Sequence, residues 1–302
     1  MLSLRTLLFM EVVERYNQIL RSTEDDTLRL LERVLEQSFN RLVRRARVHM
    51  RIGRVDPAQR NLALLQEFRQ LVPSFRPDRV DAYDRLLQRL VGQASTRGIE
   101  VADNLTQRMA PERSRVDVSI PLEATVAAAA QAKGYLRKHG ERFAATSAEV
   151  VAQGIAEGRP TDTMVRDMRS RLSVVKSRAE MIVRTESLRA YNEASNTYYA
   201  AQGVELCMWY ATADDRACSI CAPRAGQIYK RSEIKAPCHP RCRCYLAPWD
   251  PEIAAMDPEY AGQRQRHADE IRKAYKQLSK EPANLNRAAV FEKQAPTPVA
   301  TL

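Results

Sequence analysis

Glycine and aromatic residues are scarce in this chain. Its 302 residues include only 10 Gly, and Phe, Trp and Tyr together make up 6%. This composition argues against a β-sandwich, which needs many short β-branched or aromatic strands joined by tight turns. Hydrophobic residues still make up 44% of the chain, which is enough to bury a core. The composition therefore favours a mainly helical protein.

The sequence also lacks a secretory signal and a long apolar run. The apolar stretch near the N-terminus is broken by Arg5 and ended by Glu11, with no small-residue cleavage site after it. No stretch reaches the about 18 apolar residues needed to span a bilayer. We therefore expect a protein of cytosolic origin, where thiols stay reduced and clustered cysteines are more often metal ligands than disulfides.

Acidic residues are outnumbered by basic ones. Lys and Arg total 48 against 37 Asp and Glu, which leaves a net charge of +11. Most of the basic residues are Arg, whose planar guanidinium forms bidentate contacts with phosphate or carboxylate. A polyanion or an acidic protein face is therefore a candidate neighbour, and a simply solvated basic surface remains the alternative.

Apolar residues recur at helical spacing through the first two thirds of the chain. Thr23 is a candidate N-cap for a helix that Gly53 would end. Gly98 is a candidate boundary after a helix that begins at Pro77. Gly203 would end the last long run. The further helices that the pattern predicts cover residues 62–71, 122–139, 141–157, 161–172 and 174–202.

The residue composition changes after Gly203. Residues 204–212 are β-branched and aromatic and predict a strand, with shorter strands possible at 227–229 and 244–246. Residues 257–280 predict a charged helix, and the polar stretch after Pro282 predicts an extended arm. We expect a mainly α fold with a helical N-terminal body, a small zinc-stapled α+β lobe, and a C-terminal helix with an extended tail. The expected divisions are 1–120 for docking, 121–250 with the lobe at 204–250, and 251–302.

All six cysteines lie between Cys207 and Cys244. Cys218 and Cys221 form a C-x2-C pair, and His239 and Cys242 can supply a second pair after a longer loop. Two short ligand pairs joined by a loop are typical of a tetrahedral zinc site. Four protein ligands leave no open position, so the predicted site holds one structural zinc ion and stabilises a lobe too small for a core of its own.

The ligand set is not unique. Cys244 can replace Cys242, and Cys238 is a weaker candidate. Disulfides and buried unligated thiols are the alternatives to a metal. Cys207 lies in a predicted strand and is expected to be a core residue. A deaminase-type catalytic zinc is disfavoured because no H-x-E motif precedes the first C-x2-C.

These motifs, in this order, resemble the phage head morphogenesis family of Mu F-like minor head proteins. The resemblance covers about residues 140–250 and joins R-T-E, a helix with Asn and Tyr, a Gly, W-x-A-T-x-D-x-R-x-C-x-x-C, G-x-x-Y and H-P-x-C-R-C. Cys238 departs from the pattern, which usually has an apolar residue or Pro there. The matching positions are Arg184, Thr185, Glu186, Gly203, Trp209, Ala211, Thr212, Asp214, Arg216, Cys218, Cys221, Gly226, Tyr229, His239, Pro240, Cys242, Arg243 and Cys244.

The resemblance implies a structural minor capsid protein, present in few copies and associated with the portal vertex. Its implied roles are head assembly, DNA packaging or DNA delivery. Its implied partners are the portal protein, the major capsid protein and packaged DNA, held by non-specific electrostatic contact. Its implied location is the virion, reached from the host cytoplasm. A zinc-dependent nucleic-acid-binding protein outside particles is the alternative, and no enzymatic activity or small-molecule substrate is expected.

Several residues near the motifs are expected to anchor the lobe. Arg184 is placed to pair with Glu180 one helical turn earlier. Glu186 is expected to face the lobe and to hold Arg216 or Arg243. Asp214 can accept backbone N–H bonds in a turn, although two exposed acids at 214 and 215 are the alternative. Trp209 and Trp249 are expected to form an apolar lid.

Overall fold

Helices dominate the computed structural model of this protein. It describes residues 4–50, 81–112, 115–119, 122–157, 159–211, 220–278 and 298–299. Within these residues, the long helices that precede the cysteine segment are α1 (Leu4–Met50), α2 (Asp81–Met109), α3 (Leu122–Ala156) and α4 (Thr161–Ala201).

A small antiparallel sheet follows the helices. Its strand order is β2-β1-β3, so the first strand in the chain is the central one. Two C-terminal helices come after it. The elements are β1 (Leu206–Tyr210), a 3₁₀ turn (Ala222–Arg224), β2 (Ile228–Lys230), β3 (Tyr245–Trp249), α5 (Pro251–Met256) and α6 (Pro258–Leu278). The predicted mainly α fold with a small α+β lobe is confirmed.

The chain forms two compact units. The first unit combines Met1–Ser22, Val91–Thr125 and Thr185–Leu302, and the second combines Thr23–Leu90 and Val126–Arg184. The expected domain divisions near residues 120 and 250 remain predictions.

The second unit has a helical core. Buried apolar side chains include Leu35 and Phe39 on α1 and Met168 and Leu172 on α4. The Arg169 guanidinium lies over the Phe39 ring at 5.1 Å. Burial of such side chains stabilises a helix pair by about 1.5–3 kcal/mol each, so packing rather than intrinsic propensity holds these helices.

The first unit has its core where the sheet meets the helices. Trp209 on β1 is fully buried, together with Tyr199 on α4 and Ile271 on α6. The Trp249 ring of β3 stacks on Tyr260 of α6 with 4.7 Å between ring centroids. Large aromatic side chains thus supply much of the apolar area that this small lobe buries.

Four expectations for the helices are wrong, and the fourth concerns Gly98. Thr23 lies inside α1, where its carbonyl accepts a hydrogen bond from the Thr27 hydroxyl at 2.9 Å. The residues predicted as separate helices at 122–139 and 141–157 form one helix, and so do 161–172 and 174–202. A lone glycine such as Gly140 costs only about 1 kcal/mol relative to Ala, so it does not end a helix whose other faces are packed.

Gly98 does not end a helix either. It lies within α2, where an added Cβ would collide with the backbone carbonyl of Tyr191 and the side chain of Ala194 on α4. The Ser195 hydroxyl donates to the Gly98 carbonyl at 2.9 Å. Gly98 is therefore a point of close approach between α2 and α4, rather than a break.

Other expectations are confirmed. Gly203 ends α4 with a φ of +69°, and the Val204 N–H closes the terminus on the Tyr199 carbonyl at 2.9 Å. The three strands and the last helix lie within a few residues of their predicted bounds, and Asp257 caps α6 through its side chain. The run at 62–71, the start at Pro77 and most of the stretch after Pro282 lie outside the described residues. Within the described part of the chain, no helix is long and apolar enough to cross a bilayer.

The close approach at Gly98 gives the first prediction. Gly98→Ala is expected to destabilise the first unit by about 1–3 kcal/mol, because the new methyl group overpacks against helix backbone. Gly134→Ala is the matched control, since its Cβ meets nothing within 4 Å and Ala favours a helix by about 1 kcal/mol. Denaturant unfolding monitored by circular dichroism measures both. Equal effects of the two substitutions would contradict the packing role of Gly98.

Candidate metal centre

A tight turn that begins at Cys238 supplies three side chains of the candidate centre. The Cys242 N–H donates to the His239 carbonyl at 3.1 Å. Arg241 adopts a positive φ of 62°, a conformation that non-glycine residues occupy rarely. This left-handed residue folds the chain back and brings Cys238, His239 and Cys242 to one side of the turn.

Cys221 approaches the turn from the other side, at the start of the 3₁₀ segment. Its Sγ lies 3.1 Å from His239 Nε2, and 3.8 Å from the Sγ atoms of both Cys238 and Cys242. The four ligand atoms all lie within 4.8 Å of one another. Cys221 and Cys242 are buried, and the other two are partly buried. These four residues form a group that could hold a metal ion.

The histidine ring is held in a ligand-ready orientation. His239 Nδ1 lies 2.8 Å from the Pro240 carbonyl, which accepts a hydrogen bond when Nδ1 carries the proton. Nε2 then carries the lone pair and lies 3.1 Å from Cys221 Sγ. A second hydrogen bond of this kind is the usual way in which proteins set the tautomer of a metal-binding histidine.

The thiols of the cluster differ in acidity. Hydrogen bonds from Cys221, Cys238 and Cys244 hold the pKa of Cys242 well below its usual range. The Cys221 contact lowers the pKa of Cys238, but the contact with Cys242 and burial outweigh it and raise that pKa to about 12. Burial raises the pKa of Cys244 well above its usual value. Hydrogen bonding within the cluster therefore makes the Cys242 thiol more acidic than those of Cys238 and Cys244, and thiolate is the form that binds metals.

The remaining cysteines lie in different places. Cys207 on β1 is fully buried in the core, as expected, and burial raises its pKa to about 12. Cys244 is buried next to the cluster, but is not one of the four residues whose ligand atoms converge. Cys218 lies outside the described residues. The structure thus brings together Cys221, His239 and Cys242 of the expected set, with Cys238 beside them.

Side chains on one face of α4 position the lobe by hydrogen bonding to the backbone of the lobe. Thr185 Oγ1 accepts a hydrogen bond from the Arg241 N–H at 3.1 Å. Two turns later, Asn192 donates to the Cys244 carbonyl and accepts from the Leu246 N–H, both at 3.2 Å. A further two turns on, the Tyr199 hydroxyl lies 3.4 Å from the Leu246 carbonyl. Residues seven apart share a helix face, so this stripe aligns the turn and β3 on one rigid element.

Arg184 and Glu186, the two expected lobe anchors on α4, pair with residues of α1 and α4. Arg184 pairs with Glu180 at 3.2 Å, as predicted, and also with Asp25 on α1 at 3.4 Å. Glu186 is buried and accepts a hydrogen bond from Arg189 at 2.6 Å. Burial raises the pKa of Glu186, and the Arg189 charge opposes that rise.

The other expected anchors lie within the lobe or outside the described residues. Trp209 is fully buried, with the Arg224 guanidinium over its ring at 5.4 Å. Arg243 is partly buried between Cys242 and Cys244. Asp214 and Arg216 lie outside the described residues, so their expected roles in the turn and with Glu186 stay predictions.

The reading of the sequence missed two structural residues of the lobe. Asn192 lies in the helix that the family pattern includes, but the sequence alone does not show its two hydrogen bonds to the lobe. His267 on α6 is buried, accepts the Ala211 N–H through Nε2 at 3.0 Å, and stacks on Tyr210 at 3.9 Å. Burial lowers the pKa of His267 to about 4, so this ring stays neutral. Its spacing on a charged helix carries no signal of that role.

The fold and the site define a class of protein: a helical protein with a small lobe closed around a Cys3His group that could hold a metal ion. Residues 145–247 match the family model described as "Phage Mu protein F like protein". The match spans α4, β1, β2, the first part of β3 and the four-residue group, and it confirms the resemblance drawn from the motifs over that stretch. No curated protein and no solved structure matches the chain.

The contacts of Asn192 give the second prediction. Asn192→Ala leaves the buried Cys244 carbonyl and Leu246 N–H without their side-chain partner, and each such loss costs about 1–3 kcal/mol. Thr197→Ala is the matched control, because the Thr197 hydroxyl is exposed and bonds only within its own helix at Glu193. Denaturant unfolding and hydrogen exchange at Leu246 measure the difference. Unchanged protection of that amide would contradict the positioning role.

Proposed function

We propose that this chain is a structural minor head protein of a tailed phage. In this proposal it associates with the portal vertex and acts in head assembly, DNA packaging or DNA delivery. The observation that carries the proposal is the family match over residues 145–247, which includes the centre formed by Cys221, Cys238, His239 and Cys242. The portal and packaging roles come from the family resemblance.

The centre is proposed to hold one structural zinc ion. Two sulfurs bound to a tetrahedral zinc at about 2.3 Å are ~3.8 Å apart, which agrees with the 3.8 Å that separates Cys221 Sγ from Cys238 Sγ and Cys242 Sγ. Three thiolates and one imidazole are a common donor set for structural zinc. Four protein ligands leave no coordination position for a substrate, which supports a structural rather than a catalytic role.

The proposed partners follow from the same resemblance and from charge. The N-terminal region, residues 1–120, is proposed to dock on the portal protein or the major capsid protein. The net charge of +11 favours sequence-independent contact with packaged DNA through phosphate neutralisation. In this account the protein resides in the virion, after assembly in the host cytoplasm.

The zinc proposal gives the third prediction. Native mass spectrometry of the full chain is expected to show one zinc ion per chain, lost in Cys221→Ser. Cys207→Ala is the matched control and keeps the ion, because Cys207 lies on β1 in the core. Chelation is expected to lower the thermal stability of wild type, since metal binding contributes folding free energy. A folded wild type without metal would contradict the proposal.

The same measurement identifies the fourth ligand. Cys238→Ser is expected to lose the ion, because the Cys238 Sγ belongs to the converging group. Cys218→Ser is expected to keep it. The reverse result would assign the fourth position to Cys218, as the C-x2-C spacing predicts, and leave Cys238 as a neighbouring thiol.

The role in the particle gives the fourth prediction. Quantitative proteomics on particles from the source of this chain is expected to find it in a few copies per particle. Portal and major capsid proteins serve as the low-copy and high-copy references. The chain is expected to stay with the head after DNA release.

Two results would contradict that account. Absence from particles, with abundant protein in the lysate, would favour a free zinc-dependent nucleic-acid-binding protein. Copy numbers like those of the major capsid protein would contradict a place at the single portal vertex. Incorporation of Cys207→Ala but not Cys221→Ser would link the centre to assembly.

A further inference from the structure

The two outer edges of the sheet are covered in different ways. The β3 edge is met by α4, through the side chains of Asn192 and Tyr199 described above. The β2 edge is met by a distant part of the chain, because the Val299 N–H donates to the Ile228 carbonyl at 2.8 Å. An edge strand presents unpaired backbone groups that another strand can join. Side chains of α4 therefore contact the β3 edge, and a segment distant in the sequence contacts the β2 edge.

A groove of about 510 Å³ runs beside β2 towards α5 and α6. Ile228, Trp249, Ala254 and Ala268 give it an apolar lining, and Val299 lies against it. Its volume is in the range of about 300–1,000 Å³ that is usual for pockets that take ligands. The groove therefore has room for more side chains than that of Val299.

Helix α6 forms one closely packed wall of the groove. Gly226 has a φ of +73°, and an added Cβ there would collide with the Arg264 carbonyl, so α6 packs closely against the start of β2. The Arg264 guanidinium donates to the Gly226 carbonyl at 3.1 Å and lies 5.7 Å from the Trp249 ring centroid. The groove is thus largely pre-formed, which lowers the entropic cost of binding an extended segment.

The sequence around Val299 suits an added edge strand. The stretch P-T-P-V-A-T-L at 296–302 alternates proline with β-branched residues. In a strand, successive N–H groups point to opposite sides. With the Val299 N–H directed at β2, the positions of Pro296 and Pro298 are those whose N–H would point away. Proline is tolerated in edge strands at such positions.

We propose that the β2 edge and its groove form a docking site for an extended peptide, occupied by the 296–302 segment of the same chain. The segment adds to the sheet by backbone hydrogen bonding and places alternate side chains in the groove, the mode known as β-augmentation. This inference does not depend on the proposed role in phage heads.

The fifth prediction uses a labelled peptide of residues 294–302 and three full-length chains. In wild type the tethered segment competes at an effective concentration of the order of millimolar, so the free peptide binds weakly. Val299→Pro removes the N–H that donates to Ile228 and opens the site. The peptide is expected to bind this variant at least tenfold more tightly than wild type, by fluorescence anisotropy.

Ala300→Pro is the matched control. The N–H at position 300 points away from β2 in the proposed strand, so this chain is expected to bind the peptide as weakly as wild type. A peptide that itself carries Val299→Pro is expected not to bind any of the chains. Circular dichroism confirms that the variants keep their fold.

Three results would overturn the proposal. One is the absence of peptide binding to the Val299→Pro chain. Another is equal binding to all three chains. The third is a concentration-dependent dimer of wild type that Val299→Pro abolishes, measured by light scattering, because the occupant of the groove would then be the segment of a second copy.

Discussion

The lobe depends on how the turn that ends at Cys242 docks on α4. Thr185 accepts the N–H of Arg241, the one non-glycine residue with a positive φ among those the structure describes. That bond helps to offset the cost of the left-handed backbone conformation at Arg241. With it, His239 and Cys242 face Cys221 across a few ångströms. One hydrogen bond from a long, packed helix thus orients half of the candidate metal centre.

The same helix also stabilises the small three-stranded sheet. A sheet of three short strands needs an apolar face, or packing against a helix, to be stable. Here the three middle residues of the central strand β1, among them Trp209, are buried, and Asn192 hydrogen-bonds the β3 edge. The β2 edge is met by the Val299 N–H, which donates to the Ile228 carbonyl. The helix stripe and Val299 thus contact opposite edges of the sheet, and the candidate metal centre lies in the turn that the stripe positions.

The family match explains why the lobe and α4 belong together. The matched stretch, residues 145–247, contains both the helix stripe and the residues that the stripe positions. A shorter piece that began after Gly203 would lack Thr185, Asn192 and Tyr199, and with them the side chains that hold the turn and β3. The part of α4 from Thr185 onwards belongs to the same compact unit as the lobe, and the motifs of this part and the lobe follow one another in the sequence.

The sequence by itself determined the classes of structure. Helical spacing of apolar residues, scarce glycine and a cysteine-rich segment bounded by short strands predicted a mainly α protein with a small metal-binding lobe, because periodicity and ligand spacing are local properties. The helix end at Gly203 was predictable for the same reason. Only the tertiary structure decided that Thr23 and Gly98 lie inside helices, since packing over many residues outweighs one local signal. It also decided that Cys238 joins the cluster, because sequence spacing does not fix which thiols point to one place.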